Sequence, residues 1–211
     1  MRFASKFLML LVVATLPMIA SADPIPIAGT GSFGSFTGTF DFSASSATEG
    51  TLVISLTNTS DPANGGFITG FLFNNPGDLT VTNFDPGTYT DFQQVGPESG
   101  SPFGDFDFGA ALGGDFLGGG SPVTGIAVGD TGTFTFTFSG TGLDQLTSAD
   151  FFDAFSTGGS QSAAFLVRFK GFENDESDKV PGTVVPEPAT MLMMGTGLTA
   201  LAGIVRRKLK K

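Results

Sequence analysis

Hydrophobic and polar residues alternate along much of the middle of the chain. Residues 133–138 read Thr-Phe-Thr-Phe-Thr-Phe, which places three phenylalanines on one face of a strand and three threonines on the other. The same period of two marks 36–42, 52–56 and 163–169, whereas 67–73 is apolar on both faces and predicts a central strand. Burial of each inward phenylalanine contributes about 1.5–3 kcal/mol, so these runs predict strands that pack one face on a core.

Turn-forming segments separate the predicted strands. These segments combine Asn, Asp, Pro and Gly, and they lie at 61–66, 74–78, 85–87 and 129–130. Strands that recur about every eight to twelve residues without a helical period predict an all-β fold over 23–180, an antiparallel β-sandwich of jelly-roll or immunoglobulin-like type. Phe33 is out of register with the phenylalanines that follow it, which predicts a β-bulge near Gly34.

Three segments depart from the strand pattern, and one predicted strand carries two cations. Residues 147–150 read Thr-Ser-Ala-Asp and predict the cap of one short helix, whose apolar stripe would comprise Phe151, Phe152 and Phe155. Residues 113–125 are rich in glycine and predict a long surface loop. Arg168 and Lys170 alternate with phenylalanines, so we expect them on an exposed strand face. Residues 181–185 predict a linker.

Both ends of the chain carry features of export. Arg2 and Lys6 precede an apolar run that is too short to span a bilayer, and Ala20-Ser21-Ala22 follows it. We expect a helical signal peptide at 1–22 that signal peptidase removes between Ala22 and Asp23.

The C-terminal end has three parts in a fixed order. Pro186, Glu187 and Pro188 precede an apolar span at 189–205, which would be about 25 Å long as a helix, against a hydrocarbon core of about 30 Å. The basic residues that follow predict a single transmembrane helix whose end stays in the cytoplasm. They are Arg206, Arg207, Lys208, Lys210 and Lys211.

This tail, 186–211, resembles the PEP-CTERM sorting signal of Gram-negative, exopolysaccharide-producing bacteria. The Pro-Glu-Pro motif, the glycine-containing span and the basic end match it in order and spacing. The resemblance implies that the chain is the substrate of a membrane-embedded exosortase, which cleaves near the motif. The protein would then rest briefly in the inner membrane before it reaches the cell surface or the extracellular matrix. A permanent single-pass anchor is the alternative.

Composition and charge exclude several classes of function. The chain has no cysteine and no histidine, which excludes disulfides, thiolate or imidazole metal sites and Ser-His-Asp catalysis. Between residues 23 and 185, three basic minus nineteen acidic residues give a net charge of −16. A domain this acidic repels phosphate backbones, so we expect no nucleic-acid partner.

Carboxylates are the chemistry that remains. Asp105 and Asp107 would share one strand face, and with Asp115 from the glycine-rich loop they form a candidate calcium site, although the spacing is not that of an EF-hand. A solvated strand face explains the same residues. A carboxylate-based glycan hydrolase would need two acids in a cleft, normally beside aromatic sugar platforms, yet the chain has no Trp and one Tyr.

We therefore expect a non-enzymatic exported protein with a structural or adhesive role, linked to exopolysaccharide or biofilm and needing no cofactor. The alternatives are a calcium-dependent carbohydrate-binding module and a carboxylate hydrolase.

Overall fold

The computed structural model describes residues 24–186, and this part of the chain is almost entirely β-structure. The helical elements are short: α1 (Asp150–Asp153) and two 3-10 helices at Pro122–Thr124 and Leu143–Gln145. The strands are β1 (Ile25–Thr30), β2 (Ser35–Ala44), β3 (Glu49–Asn58), β4 (Gly65–Phe73), β5 (Thr80–Asp85), β6 (Phe92–Val95), β7 (Glu98–Ser99), β8 (Asp105–Phe106), β9 (Phe108–Leu112), β10 (Ile126–Ala127), β11 (Thr131–Ser139), β12 (Phe165–Phe172) and β13 (Asp178–Val184).

The strands predicted from alternation are confirmed. In β11 the three phenylalanines are fully buried, and the strand pairs along its whole length with β3. β2 buries its own phenylalanines on the other side of β3, and β4 is a central strand between β12 on one side and β9 on the other. The predicted turns also fall between strands, although Gly65 and Gly66 already belong to β4 and Asp85 to β5.

The sheet is continuous, which corrects the prediction of a sandwich of separate sheets. Ten strands follow one another in the order β5-β11-β3-β2-β1-β13-β12-β4-β9-β6, and all of their pairings are antiparallel. β10 pairs with β4 and leads through a short turn into β11, on the far side of the sheet order. The sheet therefore curls until it is nearly closed, and the all-β antiparallel prediction holds.

Asn58 lies where the curled sheet comes together. Its side chain is fully buried, and its amide nitrogen donates to the carbonyl of Gly66 at 3.2 Å and to that of Ile126 at 3.0 Å. Its carbonyl oxygen accepts from the Ser60 amide at 3.1 Å. One side chain at the end of β3 thus satisfies buried backbone groups of β4 and β10.

The core fills the inside of the curl with phenylalanine rings. Phe71 of β4 lies 4.9 Å from Phe134 of β11, and Phe73 lies 5.2 Å from Phe136, both measured between ring centroids. Phe40 of β2 meets Phe73 edge to face at 5.9 Å. Such tilted pairs contribute about 0.5–1.5 kcal/mol each beyond their burial. The rings therefore join opposite walls of the sheet.

The outer face of β4, β9 and β12 is also covered, by two loops. A second apolar cluster lies there, in which Phe116 is buried against the sheet. A methyl group on Gly70 would stand only 3.0 Å from the Phe116 ring, so the glycine leaves room for that ring. The glycine-rich segment predicted as a surface loop is in part a cover for this face.

Arg168 lies beneath that cover, which corrects the prediction of an exposed charged face. Its side chain is 8% exposed, its guanidinium donates to the Phe116 carbonyl, and it lies 5.9 Å from the Phe116 ring centroid. Lys170 is half-buried and donates to the Gly118 carbonyl at 3.4 Å. The alternating pattern correctly predicted that both side chains point away from the core, but it could not show that a loop covers them.

Three smaller predictions need correction. Phe33 lies in the turn between β1 and β2, closed by the Gly31 amide and the Gly34 carbonyl, so its shifted register does not come from a bulge. Residues 181–184, predicted as linker, belong to β13, so the domain reaches Val184 and not 180. The predicted helix is α1, but Phe155 falls outside it and is exposed.

Candidate functional site

The last strand of the sheet runs directly into the Pro-Glu-Pro segment. β13 pairs with β1 through Ile27 opposite Val184 and Ala28 opposite Thr183. One residue later, the Val185 amide donates to the Pro26 carbonyl at 2.8 Å. Since Pro186 follows at once, only Val185 separates the strand from the motif, and this junction is held to the sheet by its own backbone.

Both ends of the described chain leave the sheet at the same place. β1 begins at Ile25, and β13 ends beside it because the two strands are antiparallel neighbours. Pro186 lies at this junction within the structure. The other predicted sorting and export residues lie outside the described residues. They are Glu187, Pro188, Ala20, Ala22, Asp23, Arg206, Arg207, Lys208, Lys210 and Lys211, together with the apolar span 189–205.

An open apolar groove lies beside the junction. Its volume is about 370 Å³, and its walls include Phe155 and Ala164 on one side and Pro181 and Val184 on the other. Phe155 is 57% exposed, Val184 41% and Val185 40%, and they are three of the five large exposed hydrophobic side chains among residues 24–186. This groove, with the exposed Phe155 and Val184 in its walls, is called the exit groove below, and Val185 follows it directly in the chain.

The three carboxylates of the predicted calcium site occupy separate places. Asp105 ends up in β8, whose neighbour is β7, while Asp107 lies between β8 and β9 and accepts from the Asn75 amide at 2.9 Å. Asp115 accepts from two amides of its own loop, those of Leu117 at 2.8 Å and Gly118 at 2.9 Å. Nowhere in the described chain do three acidic side chains form a group that could hold a metal ion. The predicted single strand face is wrong, because the strand breaks at Asp107, and calcium binding stays a prediction.

The basic residues of the domain share one face of the sheet. Arg168 of β12 is the direct partner of Lys179 in β13, and Lys170 follows two residues later on the same face. Their hydrogen bonds go to the loop carbonyls of Phe116, Gly118 and Ser101. These cations thus fasten two loops over the sheet.

Burial sets the protonation properties of this basic face. Burial lowers the pKa of Arg168, and Asp115 opposes that shift. Burial lowers the pKa of Lys179 as well, and repulsion by Arg168 adds to the effect. Within residues 24–186 the Arg168 Nε–H has no hydrogen-bond partner. The sequence gives one signal of this arrangement, namely that the cations between residues 23 and 185 fall within the twelve positions from 168 to 179.

Comparison with known proteins finds one family match, and this match begins at the junction between β13 and the tail. Residues 184–210 match the family described as the PEP-CTERM protein-sorting motif. The match begins at the last residue of β13, and it confirms the resemblance of the tail. It marks an exported protein that an exosortase processes and that is sorted to the cell surface. No curated protein and no solved structure matches the chain.

No helix among residues 24–186 is long and apolar enough to cross a membrane.

Proposed function

We propose that this protein is a non-enzymatic component of the cell surface or extracellular matrix, with a structural or adhesive role linked to exopolysaccharide. Signal peptidase removes residues 1–22, the tail holds the domain in the inner membrane for a time, and exosortase then releases it. We expect this role to need no cofactor.

The observation that carries the proposal is the junction between β13 and the sorting motif. The strand continues to Val184, and the backbone of Val185 is still bonded to β1. A cut near Pro186 would therefore leave the whole hydrogen-bonded sheet on the released side. The tail therefore acts as a sorting signal that follows a complete folded domain.

Several carboxylates have structural tasks, which supports a role without catalysis. Asp178 accepts from the amides of Phe33 at 2.9 Å and Gly34 at 3.2 Å and so ties the β1–β2 turn to β13. Asp107 and Asp115 likewise hold loop amides. A general acid or base needs a carboxylate aimed at a substrate in a cleft, and these face the backbone instead.

Intact-mass measurement on fractionated cells of the native host tests the sorting step. We expect a surface or matrix form that begins at Asp23 and ends near Pro186. Glu187→Ala should leave the tail attached and the protein in the inner membrane, whereas Glu176→Ala, in an exposed turn of the domain, should not. Recovery of the wild-type protein only with its full tail, in the inner membrane, supports a permanent anchor and contradicts release.

Sedimentation with purified host exopolysaccharide tests the adhesive role. The released protein should co-sediment with the polymer, and a mutant strain without the protein should form a weaker matrix. Absence of both effects in cells that release the protein normally contradicts the adhesive role and leaves the sorting step standing.

A further inference from the structure

We infer that the exit groove is a lipid-contact surface, which lies against the outer side of the inner membrane while the tail is inserted. The inference rests on the proposed membrane tether and adds to it a definite orientation of the domain. It assigns the lipid interface as the partner of Phe155 and Val184.

The length of chain between the sheet and the predicted span carries the first step. Pro186 and Ala189 are three peptide units apart, so their Cα atoms are at most about 11 Å from each other. The polar layer on each side of a bilayer is about 5–8 Å thick. Pro186 must therefore lie within a few ångströms of the headgroups, and Val185, bonded to β1, brings the end of the sheet with it.

The chemistry of this end of the domain carries the second step. Two exposed hydrophobic side chains, Phe155 and Val184, line the groove beside the tether, and its other walls are mainly apolar or small residues. Exposed apolar side chains in contiguous patches mark interaction sites on soluble domains. Aromatic and aliphatic residues beside a membrane anchor gain free energy when they enter the interface.

Charge argues against the alternative that the whole domain lies flat on the membrane. The domain is strongly acidic, and an anionic leaflet repels it at every face that carries exposed carboxylates. The groove itself contains one acidic residue, Asp153. Only a small apolar contact at the tether is compatible with this repulsion.

Single-cysteine labelling tests the inference, since the chain has no cysteine of its own. Phe155→Cys and Val184→Cys place an environment-sensitive fluorophore on the two walls of the exit groove. Val123→Cys is the matched control, because Val123 is also an exposed hydrophobic residue. Its neighbour Pro122 packs at Gly171, seven residues along the chain from Ala164, and the control is therefore about 20 Å from the groove.

The full chain with its tail, taken from the membrane fraction of an expression host without exosortase, is reconstituted into vesicles of phosphatidylethanolamine and phosphatidylglycerol. Flotation measures whether the tail is inserted. Nitroxide-labelled lipids then measure contact, and we expect quenching at positions 155 and 184 to be at least threefold stronger than at 123.

Each other outcome contradicts the inference in a distinguishable way. Equal quenching at all three positions in floating vesicles overturns the lipid contact and leaves the tether intact. A blue shift at 155 that nitroxide lipids do not quench points to a second copy in the groove and also overturns it. Failure of the chain to float contradicts the proposed tether, and the groove contact fails with it.

Discussion

Replacement of Phe116 by alanine should strongly destabilise the domain, although the residue belongs to a glycine-rich loop. The Phe116 side chain is 1% exposed and packs on the outer face of the sheet. Removal of a buried phenylalanine costs about 3–5 kcal/mol, and the lost contact with the Arg168 guanidinium adds about 0.5–2 kcal/mol. The loop can relax into part of the space, so we expect a loss near the lower end, about 3 kcal/mol.

Equilibrium unfolding in urea, followed by far-ultraviolet circular dichroism, measures this change. For a domain of this size a loss of about 3 kcal/mol corresponds to a melting temperature lower by about 6–12 °C. Leu117→Ala is the control, because Leu117 is the next residue of the same loop and is 43% exposed. It should change the free energy of unfolding by less than about 0.5 kcal/mol.

A Phe116→Ala variant as stable as Leu117→Ala would refute the role of this loop as a cover. Amide hydrogen exchange measures the stability of the loop itself. Exchange should speed up in the Phe116→Ala variant at Gly118 and Gly119, whose amides bond to Asp115. Unchanged protection at these amides would show that Phe116 does not hold the loop in place.

Three further predictions concern the curl of the sheet and its single tyrosine. Asn58→Ala leaves buried backbone groups of β4 and β10 without a partner and should cost about 3 kcal/mol in urea unfolding, while Asn83→Ala, at an exposed position, should cost less than about 0.5 kcal/mol. Gly38→Ala places a methyl group 2.1 Å from the Ser55 carbonyl oxygen and should lower stability by about 1–3 kcal/mol, whereas Gly77→Ala meets nothing within 4 Å and should leave the melting temperature unchanged or raise it. Burial, with the Asp130 carboxylate, raises the pKa of Tyr89. The neutral Tyr89 side chain therefore contributes to the stability of the folded domain. This contribution is fully present below the ordinary tyrosine pKa of about 10 and is lost as pH rises through the higher folded pKa. Ultraviolet titration should therefore show tyrosinate at lower pH in the unfolded chain, and equal midpoints would contradict this.

The strands could be predicted because their signal is local. In β11 every second residue is a phenylalanine, and in β4 both faces are apolar, so period and burial agree within a few residues. The tail could be predicted for the same reason, since motif, span and basic end are contiguous. By contrast, the continuity of the sheet depends on β13, which pairs with both β1 and β12, and its near-closure depends on β10 and Asn58; these contacts join segments far apart in the sequence.

The misplaced residues are those whose surroundings come from distant parts of the chain. Arg168 alternates out of the core as the pattern requires, and it is buried only because residue 116 reaches back over β12. Residues 181–184 contain Pro181 and Gly182, which argue for a linker by composition. They form a strand because Val180 is buried in the core and Leu166 pairs with Pro181.

The position of β13 inside the sheet has a mechanical consequence. Force that reaches the domain through the tail acts along the axis of β13, at right angles to its hydrogen bonds. β13 pairs with β12 through its first five residues and with β1 through its last two, so the bonds along its length resist the force together. Under the proposed membrane anchoring, we expect the sheet to resist opening at its point of attachment when flow or neighbouring polymers pull on the domain.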